Sequence, residues 1–303
     1  MAGSSKLVIY AALAGNTLIA ITKFIAAGVT GSSAMLSEGI HSSVDTLNQA
    51  LLLLGLRQAS RPPDATFPFG RGKEIYFYSF VVAILIFGVG AGVSAYEGIE
   101  RLTNPHPVGD PTLNYLVLAL SIVFEGAAWW LALREFTKTY GRRGLLRSIS
   151  RSKNPILFVV LFEDSAALLG LLVALIGVSL AHLTGDSTWD GIAAIVIGGI
   201  LASTAIWLAY ETHGLLIGEG ANATITAGVR GMVLAEPAIQ RIGELATLHM
   251  GPDYILLTVS VDFVNSLSAA DAEKVTARLD ESIKAAFPRI KRVFIEIQDC
   301  GTG

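Results

Sequence analysis

Six stretches of about twenty mostly apolar residues, strung one after another ahead of Glu211, constrain this chain more than anything else in it. Lipid cannot hydrogen-bond an open backbone, so runs of that length are stable in a bilayer only as helices. They are Leu7–Val29, Ser33–Leu56, Tyr76–Ile99, Leu113–Phe136, Pro155–Leu180 and Trp189–Tyr210. The composition agrees, with 52% apolar residues and only 16% charged ones, against about 25% charged in soluble proteins. Met1–Lys6 leads straight into the first run without a convincing small-residue cleavage site, so that run reads as a retained helix. Gly31–Ser33 and His182–Ser187 read as tight turns, which makes hairpins of the first two and the last two helices.

Basic residues set the orientation. Lys6, the 57–73 loop (Arg57, Arg61, Arg71, Lys73) and the 138–153 loop (Lys138, Arg142, Arg143, Arg147, Arg151, Lys153) all fall on one side. The other side has little beyond Arg101. Positively charged loops stay in the cytoplasm, so both termini are expected there.

Beyond Glu211 the pattern turns to that of a soluble domain. Ala223–Ala235 reads as a helix, and Ile242–Leu248 and Tyr254–Phe263 read as strands around the Gly251-Pro252-Asp253 turn. A helix capped by Ser266 or Ser268 runs to Ala286, and Arg292–Ile297 is a third strand. The expected fold is therefore six transmembrane helices (1–212) followed by a small cytoplasmic α+β domain (213–303) of α-β-β-α-β, ferredoxin-like order. So small a domain buries a marginal core alone, and a homodimer through it is expected.

Several function classes recede. A net charge of −3 without an aromatic-basic stripe argues against nucleic acid. One cysteine, Cys300, permits neither an intramolecular disulfide nor a multi-cysteine zinc cage. No nucleophile, phosphate loop or acid-base pair outside the membrane suggests an enzyme.

Ionisable residues inside the apolar runs each cost a few kcal/mol on insertion scales and need a reason to be there. Glu38, His41, Asp45 and Asn48 recur at helical spacing on one face of the second run. His41 and Asp45 are one turn apart, which suits an imidazole nitrogen and a carboxylate oxygen converging on one ion. The plainer reading is a hydrogen-bonded pair that locks helix packing. Glu163-Asp164 lies at comparable depth in the fifth run, and neighbours on a helix point about 100° apart, so one acid faces the cluster. The other pairs with Lys23, Asn16 or a helix neighbour. Glu125 reads as a supporting group or a structural acid. Glu97 and Glu100 beside Arg101 read as an interfacial helix end, Trp129 and Trp130 as packing residues, and His249 as a surface or packing histidine.

This ordered pattern resembles the cation diffusion facilitators over nearly the whole chain. The marks are Gly31-Ser32-Ser33-Ala34-Met35-Leu36 leading to His41-Ser-Ser-Val-Asp45, then Phe69-Gly70-Arg71-Gly72-Lys73-Glu74, Tyr96-Glu97-Gly98-Ile99-Glu100-Arg101-Leu102 and Asp190-Gly191-Ile192-Ala193. The resemblance implies a tetrahedral metal site between the second and fifth spans, with His41, Asp45 and Asp164 as ligands. Val160 stands where the family's fourth ligand would be. That departure is similar to the branch containing the animal mitochondrial zinc transporter of the family, where a Glu-Asp pair begins a small-residue run. Water or Glu163 would then complete the site, with Glu38, Asn48, Glu125 and Asn16 in support. The implied cargo is zinc, or manganese or iron(II) in an oxygen-richer site. Protons would return in exchange, and export from the cytoplasm across a bacterial inner membrane is expected. A non-transporting metal sensor or scaffold is the alternative; an organic-cation carrier lacks aromatics in the second run. The family's accessory sites look absent. Asp64 keeps company with Phe67 and Arg71 instead of histidines, and beside His249 and Asp299 the other expected histidine positions hold Val259, Glu273 and Ile297.

Overall fold

The computed structural model describes residues 2–30, 33–104, 111–140 and 155–298, without the side chains of 2–8, 26, 27, 29, 30, 33–41, 139 and 140. Two compact units divide the chain. One comprises Met1–Arg57 and Glu74–His213, the other Gln58–Lys73 and Gly214–Gly303.

The first unit is built of long helices: α1 (Ala2–Thr30), α2 (Ser33–Ala59), α3 (Glu74–Thr103), α4 (Thr112–Tyr140), α5 (Pro155–Thr184) and α6 (Thr188–Ile217), the last continuing into the second unit. Four of them, α3 to α6, are long and apolar enough to cross a membrane, and α1 adds the apolar stretch Ile9–Ile25. The helices outrun the apolar segments read from sequence, because hydropathy ends where polar residues begin while backbone pairing continues through them. The expected turn at His182–Ser187 is corrected in the same way: His182 to Thr184 still belong to α5. Only 185–187 turn, with Gly185 at φ 68° and Asp186 Oδ1 accepting from the Thr188 N–H at 2.9 Å.

α4 packs against both α1 and α5. Trp129 Nε1 donates to Ser165 Oγ at 2.8 Å, fastening α4 to α5. Trp130 is exposed. α3 is interrupted by a π-helical turn, Ile86–Ala91, of sequence IFGVGA. Below it α3 approaches α6 through small residues: a Cβ added at Gly98 would stand 2.6 Å from Ile195 Cγ1 and 2.9 Å from the Gly191 carbonyl oxygen. At the same end Arg101 forms an ion pair with Asp190, so the Glu97–Arg101 stretch is more than a helix terminus.

The second unit holds α7 (Ala223–Leu234), β1 (Ile239–Gly251), β2 (Tyr254–Phe263), α8 (Ala269–Ala286) and β3 (Ile290–Ile297). Its sheet has the order β1-β2-β3, antiparallel between β1 and β2 and parallel between β2 and β3. A parallel pair needs a crossover, and α8 supplies it. β2 is the spine: Ile255, Leu257, Val259 and Val261 alternate into the core, where they meet Val229 and Val233 of α7 and Val275, Leu279 and Ile283 of α8. Asn222 and Ser268 cap α7 and α8 through the N–H groups of Ile225 and Asp271. β1 starts three residues earlier and ends three later than Ile242–Leu248, since its outer pairs depend on β2 and not on its own apolar pattern. His249 is buried in β1.

Gln58–Lys73 groups with this unit. Asp64 Oδ1 accepts from the Thr66 and Phe67 N–H groups, and Oδ2 from Arg71 Nη2 at 3.1 Å. The guanidinium lies 4.0 Å from the Phe67 ring centroid. The Phe67 N–H and Arg71 hold the Asp64 carboxyl below its usual range. The residues standing in for accessory histidines thus form a self-contained loop clasp.

Candidate metal site in the helical unit

Helices α1 to α6 line a cavity of about 170 Å³. Its wall takes Asn16 and Lys23 from α1, Asp45 and Asn48 from α2, Ser121 and Glu125 from α4, and Glu163 and Asp164 from α5. Toward one end it reaches Glu97, Arg101 and Asp190. Ile86 and Gly90 of the π turn also line it, and π turns inside α-helices are common at functional sites.

Helical spacing explains the convergence. Asp45 and Asn48 are three residues apart on α2, so one face of that helix brings both to the cavity. The side chains of Glu38 and His41 lie outside the described residues. Asn16, Asn48, Glu125, Glu163 and Asp164 are all buried, and these five residues expected at the site from sequence line one space together with Asp45.

The two adjacent acids of α5 are treated differently. Glu163 Oε1 accepts from Asn48 Nδ2 at 2.9 Å and Oε2 from Gln49 Nε2 at 3.1 Å. Both of its oxygens are engaged in a clamp to α2. Asp164 is 2% exposed, and its Oδ2 has no hydrogen-bond partner among the described residues. A buried carboxyl oxygen left unpaired costs about 1–3 kcal/mol, which a water or a cation in the cavity would relieve. Glu125, Glu163 and Asp45 stand near enough for their charges to act on Asp164. Among the described residues no three His, Cys, Asp or Glu side chains are gathered closely enough to hold an ion.

Of the partners left open for the second acid, the described hydrogen bonds of Glu163 run to two amides of α2, Asn48 and Gln49. Gln49 is fully buried and was missed, although an amide in the middle of an apolar run was the signal. The Arg101–Asp190 pair was missed because the two residues lie 89 positions apart and nothing in the sequence links them.

This unit combines helices long and apolar enough to cross a membrane with an acid-lined interior, and comparison gives its class. Residues 9–217 match the cation efflux transmembrane domain, and the chain belongs to that family. It is 36% identical over 265 residues to the mitochondrial proton-coupled zinc antiporter SLC30A9 of Xenopus laevis, covering 87% of this chain and 47% of that protein. The human protein of the same name is 31% identical over 258 residues, covering 84% and 45%. The cation-efflux pump FieF of Shewanella oneidensis is 26% identical over 271 residues, covering 89% and 86%. The chain thus spans about half the length of the SLC30A9 relatives it matches.

Proposed function

We propose that the chain is a divalent-cation/proton antiporter, with zinc as cargo, exporting it from the cytoplasm. The unpaired Asp164 Oδ2 on a cavity that Asp45 also lines carries this reading. In it, His41, Asp45 and Asp164 hold the ion, water completes the coordination, and Glu163 braces α2 against α5. Metal binds deprotonated ligands, so loading releases protons and unloading takes them up from the far side. Manganese or iron(II) is the alternative cargo on the same carboxylates.

The same proposal makes α1 to α6 six spans with both termini cytoplasmic, residues 1–212 the transporting domain and 213–303 a cytoplasmic, ferredoxin-like dimerisation domain. The positive loops support that orientation, which turns the Arg101–Asp190 end of the cavity away from the cytoplasm. What supports the dimer is β3, an edge strand with Ile297 and Phe294 exposed. A bacterial inner membrane and a mitochondrial membrane both accord with the relatives' sources.

The test is metal uptake into proteoliposomes under an imposed pH gradient, with zinc, manganese, iron(II) and cobalt in competition. Asp45→Asn and Asp164→Asn should each lower flux by more than about tenfold, the scale on which even a ligand's hydrogen-bonding neighbours matter. Unchanged flux in both sinks the site. No flux with any metal, while zinc still binds, selects the sensor reading.

A further inference from the structure

Lys23 is a buried ammonium near the end of the apolar stretch Ile9–Ile25 of α1, 5% exposed, and nothing in the transport scheme above uses it. Its Nζ donates to Ser42 Oγ at 2.9 Å. Ser42 follows His41 directly, so this contact ties α1 to the stretch of α2 that carries the His41/Asp45 pair. Lys23 shares the cavity wall with Asp45, Glu125, Glu163 and Asp164, and Glu125 feels the charges of both Lys23 and Asp45. Those four carboxyl groups and one ammonium are the ionisable side chains described around the middle of the cavity.

A lysine in lipid is rare and faces a partner or a polar cavity. Helix bracing alone does not call for a charge, since a serine or an amide would bond Ser42 as well. The distinguishing property of an ammonium here is that it is a cation on a tether beside a cation site.

We propose that Lys23 is a built-in competitor of the cargo: its ammonium balances the acids when no metal is bound and is pushed aside when a divalent cation binds between Asp45 and Asp164. It follows that Lys23 weakens metal binding and helps the ion leave. In an interior of low dielectric, like charges several ångströms apart repel strongly enough to change an equilibrium by about tenfold or more. The proposal rests on the metal-site reading above and deepens it.

The test uses the full-length chain purified in nanodiscs, with zinc binding measured by calorimetry at pH 8, where protons compete least. Lys23→Met should bind zinc at least about tenfold more tightly than the parent, and Lys23→Arg, which keeps the charge, should stay within about threefold. In a Cys300→Ser background, Lys23→Cys should also bind tightly. Aminoethyl methanethiosulfonate rebuilds an ammonium at that position and should restore parental affinity; a neutral methyl reagent should not. Binding by Lys23→Met that is unchanged or weaker, or equal effects of the two reagents, overturns the proposal. If Asp45→Asn and Asp164→Asn both bind zinc like the parent, the site reading itself fails, and that outcome is separate from any result at Lys23.

Discussion

Replacing Glu163 by alanine separates two roles that sequence alone left open to this acid. The side chain accepts two hydrogen bonds, from Asn48 and Gln49, which join α5 to α2. Alanine removes both and leaves two amides in a place where Asn48 and Gln49 are almost completely buried. Hydrogen bonds between membrane helices average about 0.6 kcal/mol, and those in soluble proteins reach about 1.5, so the pair contributes roughly 1–3 kcal/mol. That is about a 5- to 150-fold change in the unfolding equilibrium. Unfolding of the micelle-bound protein by sodium dodecyl sulfate, followed by tryptophan fluorescence, reads this directly. A double-mutant cycle with Asn48→Ala should return a coupling of about 0.5 kcal/mol or more. Zinc affinity, measured on the same samples while still folded, should fall by less than about tenfold, less than the loss of a ligand. An unshifted unfolding midpoint together with lost zinc binding would refute the clamp and make Glu163 a ligand.

The remaining expectations concern other parts of the chain. Gly98→Val should destabilise the helical unit by about 1–3 kcal/mol through overpacking, because the added Cβ alone would already press on Ile195 and the Gly191 carbonyl; a lower unfolding midpoint checks this. Ser268→Ala removes the α8 cap on the Asp271 N–H and should cost about 1 kcal/mol, visible as faster amide exchange in the first turn of Ala269–Ala286. The depressed Asp64 carboxyl contributes order to the 58–73 loop that is complete above its ordinary pKa and lost as pH falls through its lower, folded value. The protection factors of the Thr66 and Phe67 amides, taken against the unstructured-chain rate at each pH, should therefore fall on acidification towards pH 3 relative to pH 6, and Asp64→Asn should flatten that dependence.

Much of this was legible in the sequence because lipid leaves so few choices. A run such as Pro155–Leu180 has one stable form, and the observed α5 differs only in its polar end. In the second unit Tyr254–Phe263 was read with its observed limits, since its alternation records a face packed against helices. Periodicity also placed Asp45 and Asn48 on one face, and depth brought Glu163 and Asp164 to the same level. What could not be read were pairings across helices. That Glu163 reaches Asn48 and Gln49, 115 and 114 residues away, depends on how α2 and α5 are rotated. Arg101 and Asp190 likewise meet only because α3 and α6 approach closely at Gly98 and Gly191. The π turn has no hydropathy signature, since IFGVGA is as apolar as the residues around it.

That turn gives α3 one spare residue. Should the surplus be pulled straight into regular helix, everything on one side of it would swivel by about 100° about the axis relative to the other. The side of α3 beyond the turn is not free to swivel, because Gly98 is seated on Gly191 and Arg101 is held by Asp190. The rotation would fall to Glu74–Leu85, where Tyr76 is fully buried and Tyr78 sits against Gly55 of α2, so the Tyr76 half could turn only by giving up that packing while the Glu97–Arg101 half stayed anchored.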